Sequence, residues 1–186
     1  MHSDNEIIRL LFERNEEGLR ALEEKYGGTC AAISKNILSS PRDAEESIND
    51  AYLQIWNTIP PKNPACLPAY LYTLVRHCAC VCYHKNKAAK RNSYYDTALE
   101  ELEDCIPCGQ TPHEALEKQE LSRALNDFLA TLKEEDRKLF VLRYWSAQSV
   151  AQLSKERGKS AHYISVRLDR IRKKLKNYLL ERGITV

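Results

Sequence analysis

The 186-residue sequence predicts an all-α protein, with two helical domains joined by a flexible acidic linker and a helix-turn-helix in the second. Three observations support this. Apolar residues recur at intervals of three and four through most of the chain, the period of an amphipathic helix. No run of alternating β-branched residues is long enough for a sheet. Charge falls in blocks: residues 1–91 hold 12 basic and 11 acidic residues, 92–120 hold one basic residue (Lys118) and eight acidic ones, and 121–186 hold 15 basic and seven acidic. These blocks set the expected boundaries: a domain over 1–91, a linker over 92–120 and a domain over 121–186. The basic block points toward a polyanion.

Hydrophobic residues are 43% of the chain and charged residues 29%, which suits a globular protein. No apolar run approaches the roughly 18 residues of a membrane helix, so no membrane insertion is expected. The start, MHSDNEIIRLLFERNEE, lacks a basic stretch followed by an apolar core and does not read as a secretory signal. The expected location is cytoplasmic. Seven cysteines argue against a closed disulfide framework and for free thiols.

In order, the first expected helix covers 4–25, with Ile7, Leu10, Leu11, Leu19 and Leu22 at helical intervals, and breaks at Gly27-Gly28. A second covers 29–38 and stops at Ser39-Ser40-Pro41. A third, DAEESINDAYLQIW, runs over 42–57. The four prolines of IPPKNPACLP (59–68) demand a loop. A fourth helix starts near Pro68, a residue suited to a first turn, and reaches about 84. Residues 92–112 have weak periodicity and read as linker. Further helices are expected at 113–131, 134–145, 148–157 and 160–180.

The segment SVAQLSKERGKSAHYISVRLDRIRKKL (149–175) has the plan of a helix-turn-helix. A short helix ends at Arg157-Gly158, where glycine suits a left-handed cap, and Ser160 is a good N-cap for the next helix. Ile164, Leu168, Ile171, Leu175 and Leu179 give that helix an apolar face. In such a motif the first turns of the second helix enter the major groove. Here those turns carry His162, Tyr163 and Ser165. Arg167, Arg170, Arg172 and Lys173 are expected to point outward to phosphates, and the free N–H groups at Ser160 can hold another.

The fourth helix carries Tyr70, Thr73, Arg76, His77, Cys80 and His84 on one side, then Lys85, Lys87, Lys90 and Arg91. Aromatics followed by cations suit unstacked single-stranded bases, although Tyr70 and Tyr72 also fit a core. In the third helix, Ala44, Ile48, Ala51, Tyr52 and Ile55 form the core face. Glu46, Asn49, Asp50, Leu53 and Gln54 form a second face, either solvent surface or a docking surface for protein.

Three segments, DAEESINDAYLQIW, LPAYLYTLVRH with its basic extension, and LKEEDRKLFVLRYWSAQSVAQLSKERGKSAHYISVRLDRIRKKL, together resemble bacterial RNA polymerase sigma factors. The likeness is to the small alternative type, often called extracytoplasmic-function sigma factors, and covers about residues 5–180. It implies that residues 43–56 dock on the clamp of the polymerase's largest subunit through Glu46, Asn49, Asp50, Leu53 and Gln54. Residues 67–91 would open and read the minus-ten element, with loop 59–68 holding a flipped base. Residues 132–175 would read the minus-thirty-five element. The linker 92–120 would thread the polymerase's channels. The implied partners are core RNA polymerase (also through the flap of its second-largest subunit) and promoter DNA, with an anti-sigma factor as a further partner that the resemblance allows.

The chain departs from the family pattern in several places. Asn49-Asp50 stands for Gln-Glu, Tyr70 for tryptophan, His77 for asparagine and Val81 for aspartate. Arg157 and Lys159 occupy positions that are usually apolar. A stand-alone helix-turn-helix regulator is the alternative function.

Cys78, Cys80 and Cys82 cannot converge on a metal from one helix, because Cys80 points about 200° away from the other two. Cys105-x-x-Cys108 has a better zinc or redox spacing but lacks a second pair, so a thiol or zinc sensor is a further rival. There is no phosphate loop, nucleophile elbow or paired-carboxylate cluster, and neither enzyme chemistry nor a cofactor is expected.

Overall fold

The computed structural model describes residues 2–86, 94–103 and 114–184. Among them all regular structure is helical, in agreement with the all-α class. The chain divides into two compact units, Met1–Ser93 and Tyr94–Val186.

The N-terminal unit contains α1 (Asp4–Phe12), α2 (Glu17–Ile37), α3 (Pro41–Thr58) and α4 (Leu67–Asn86). A capping box starts α1: the Ser3 hydroxyl accepts from the Glu6 N–H, and Glu6 accepts from the Ser3 N–H. Helices α2, α3 and α4 pack on one another, with α1 against α2. Ile7, Leu11, Leu22, Ile33, Ile37, Ile55, Leu71 and Val75 form the core. Small residues let α2 and α3 approach closely. The buried hydroxyls of Ser34 and Ser47 share a hydrogen bond at 2.7 Å, and the one that accepts it donates its own proton to the Ala44 carbonyl, 3.1 Å from Ser34 and 2.9 Å from Ser47.

Two sequence expectations are corrected here. The first helix stops at Phe12 instead of 25. Arg14 adopts φ 55, and the Asn15 side chain accepts from the Glu17 N–H to begin α2. Gly18 then faces α1 so closely that an added Cβ would lie 3.1 Å from Leu10 Cβ. Conversely, Gly27-Gly28 does not break the chain, because α2 runs through both. Ala21 and Leu22 before the pair, and Cys30 and Ile33 after it, are buried on one side of the helix. That tertiary packing outweighs the roughly 1 kcal/mol that each glycine costs.

The C-terminal unit contains α5 (Tyr94–Glu103), α6 (Glu114–Thr131), α7 (Glu134–Phe140), α8 (Val150–Arg157) and α9 (Ala161–Glu181). A π-helical turn, Val141–Trp145, follows α7 directly. The core joins Phe128, Leu139, Phe140, Tyr144 and Leu153 to the apolar face of α9: Ile164, Leu168, Ile171, Leu175 and Leu179. Aromatic rings at Phe128–Tyr178 (5.4 Å) and Phe140–Tyr144 (4.6 Å) pack within it.

Two further expectations change. The helix expected over 134–145 is α-helical only to Phe140, and the wider turn beyond it places Arg143 and Tyr144 inside. Part of the expected flexible linker is helix α5, whose Tyr95 and Ala98 are buried. Its Ala98 and Leu102 join the core of the C-terminal unit.

Candidate DNA-binding and protein-docking surfaces

The helix-turn-helix is built from local chemistry. Ser149 opens α8 with a capping box to Gln152 (2.6 and 3.1 Å). Gly158 closes it at φ 60, ψ 31, a left-handed conformation that glycine adopts without strain. Ser154 spans the turn: its carbonyl accepts from the Lys159 N–H, and its hydroxyl donates to the Lys159 carbonyl at 2.6 Å. Ser160 caps α9 by accepting from the Tyr163 N–H. Leu153, the one buried residue of α8, sets that helix on the core. Arg157 is half-buried at the end of α8, and its Nε has no hydrogen-bond partner among the described residues.

The first turns of α9 present His162, Tyr163 (45% exposed) and Ser165 to solvent. Arg170 and Lys173 are also exposed, and Lys173 lies 2.9 Å from Asp169. The other two basic residues are not outward as expected. Arg167 is turned toward α7, where its Nε lies 2.5 Å from Asp136 and its Nη2 3.0 Å from Glu135. These acids raise its pKa above the ordinary arginine value. Arg172 reaches α5 and the π turn, where its Nη1 meets Glu101 at 3.0 Å and the Tyr144 hydroxyl at 2.8 Å. Burial opposes its charge, but the bond to Tyr144 and the charge of Glu101 outweigh that and raise its pKa.

Glu101, Arg143, Tyr144 and Arg172 form a cluster that the sequence reading missed. Arg143, only 2% exposed, donates Nη2 to Glu101 at 2.7 Å and Nη1 to the Gln148 carbonyl at 2.8 Å. The Tyr144 hydroxyl bonds Glu101 at 2.9 Å, and burial raises its pKa. The available signal was a lone cation inside the apolar run LFVLRYW.

In the N-terminal unit, α3 places Glu46, Asn49, Asp50 and Leu53 on its exposed side, with Gln54 half-buried. Leu53 is 57% exposed. On α4, Thr73, His77 and Lys85 are exposed. Arg76 is half-buried, with Nη1 3.5 Å from Cys80 Sγ. Tyr70 is half-buried, donates to the Thr58 hydroxyl at 2.9 Å, and has Lys62 over its ring. Lys87, Lys90 and Arg91 lie outside the described residues, as do Cys105 and Cys108.

Two groups that the sequence treated separately meet in one cleft of about 480 Å³. Asp43, Glu46, Asp50 and Gln54 line the α3 side, and His77, Cys78, Val81, Cys82 and Lys85 the α4 side. Burial, then the nearby acids, raise the Cys78 and Cys82 thiol pKa values. That keeps them protonated and weakly nucleophilic. No group of three or more metal-ligating side chains occurs among the described residues. Nor is any described helix long and apolar enough to cross a membrane.

No family model matches the chain, and no curated protein does. Among solved structures, the chain is similar to CnrH in complex with the cytosolic domain of CnrY. The identity is 17%, the coverage is 95% of this chain and 96% of that one, and the TM-score is 0.45. A likeness at that level assigns no chemistry.

Proposed function

We propose that the chain is a sigma factor that binds core RNA polymerase and directs promoter recognition, strand opening and transcription initiation. It makes no bonds itself and works by binding. The observation that carries this reading is the coexistence of two different surfaces. One is a capped helix-turn-helix with an exposed His162–Ser165 turn. The other is an acidic α3 face centred on the exposed Leu53. A stand-alone regulator needs only the first. Exposed His162, Tyr163 and Ser165 suit base edges, while Arg170 and Lys173 suit phosphates. Glu46, Asn49, Asp50, Leu53 and Gln54 form the polymerase-docking face, and the exposed residues of α4 serve the separated strand.

Transcription in vitro with bacterial core polymerase on fragmented genomic DNA tests the proposal. The chain is expected to join the core and start transcripts at discrete sites. Asp50→Lys combined with Leu53→Glu is expected to abolish core binding while leaving the fold intact. Unchanged core binding in that variant refutes the reading and favours the stand-alone regulator.

A further inference from the structure

The Arg143–Arg172–Tyr144 cluster is shaped for one carboxylate. Two guanidinium groups and a buried phenol converge on the two oxygens of Glu101, at 2.7–3.3 Å. The forked Arg143 contact is the geometry that separates a carboxylate from a point anion. Glu101 comes from α5, a helix of only 10 residues. Helices this short are marginal in water without packing partners. The helical state of α5 therefore depends on this pocket and on the burial of Tyr95, Ala98 and Leu102. If α5 leaves, Arg143 regains water, so the pocket survives as an open cationic site.

We propose that α5 is a releasable strap that fills a carboxylate-binding pocket in cis, and that the opened pocket accepts an acidic amphipathic helix from a protein partner. The required ligand has a glutamate with an apolar residue three positions before it and another directly after it, as Ala98 precedes and Leu102 follows Glu101 and both pack on the core. The strap acts as a built-in competitor, because a tethered ligand has a high effective concentration. This inference stands on the C-terminal unit alone and does not depend on polymerase binding.

Native-state hydrogen exchange on the full chain tests the release. Amides of 94–103 are expected to exchange at least tenfold faster than those of 168–179, through a local opening. Exchange of both segments only together would overturn the strap. The pocket is tested with a labelled peptide of residues 92–104, followed by anisotropy against full-length Glu101→Gln chain. Saturable binding is expected, at least tenfold tighter than to wild-type chain and tenfold tighter than that of the same peptide carrying Gln at position 101. Equal binding of the two peptides overturns the proposal, as does no binding up to millimolar peptide. Loss of α9 protection in the Glu101→Gln chain also overturns it, because α5 would then be an integral part of the unit.

Discussion

Replacing Gly28 with alanine tests the continuity of α2 directly. Gly28 lies inside Glu17–Ile37, is exposed, and an added Cβ would meet nothing within 4 Å. The substitution therefore adds no contact and no clash. What remains is the helix preference of alanine over glycine, about 0.5–1 kcal/mol, which arises largely from the lower entropy of the unfolded chain. Gly27→Ala places its Cβ 3.5 Å from Glu23 Cγ and 3.6 Å from the Tyr52 hydroxyl, ordinary contact, so it should give a gain of similar size by itself, while the adjacent pair together can couple. In a unit of this size 1 kcal/mol moves the melting temperature by roughly 4–8 °C. The assay is urea unfolding followed by Trp56 fluorescence in a Trp145→Phe background, because each unit holds one of the two tryptophans. Gly28→Ala should raise the midpoint without changing the slope. A lowered midpoint would mean that the chain turns at Gly27-Gly28 as its local pattern suggests, and would refute the continuous helix.

Other outcomes follow from the same structure. Gly158→Ala meets no atom within 4 Å but must adopt φ 60. It should cost about 1–2 kcal/mol, read from Trp145 fluorescence. Burial pushes the Cys30 thiol up to about 11 from an ordinary 9.0. The folded state therefore holds that proton more tightly than the unfolded one, a stabilisation fully present below pH about 9 and lost as pH rises toward 11. Cys30→Ala should flatten that alkaline limb in melts across pH 8–11. Arg170→Ala should weaken duplex binding for all sequences and reduce the salt slope by about 0.9, whereas His162→Ala should change base preference; uniform losses from both in a sequence-library assay would contradict this division.

What the sequence made legible was chemistry confined to a few residues. The Gly158 cap, the Ser160 cap and the five-residue apolar face of α9 follow from local geometry and a fixed period, and all three are present. The composition of the α3 face was also legible, because exposure on a helix follows from spacing. What escaped was decided at long range. Gly27-Gly28 looks like a stop until α3 and α4 pack against α2. Residues 94–103 look like linker until Glu101 meets Arg143, 42 positions away, and Arg172, 71 positions away. Arg167 and Arg172 share a charge with Arg170, but among the described residues only the first two find carboxylates on neighbouring helices.

The opening turn of α9 has a bearing on how such a chain can diversify. His162, Tyr163 and Ser165 project from a frame set mostly by buried side chains, Tyr163 touching it only through the bond its hydroxyl accepts from Arg167 at 3.0 Å, so exchanging them should cost little stability. Selection, or a designer working with randomised libraries at these three codons, can therefore rewrite what the surface prefers without renegotiating whether the protein folds.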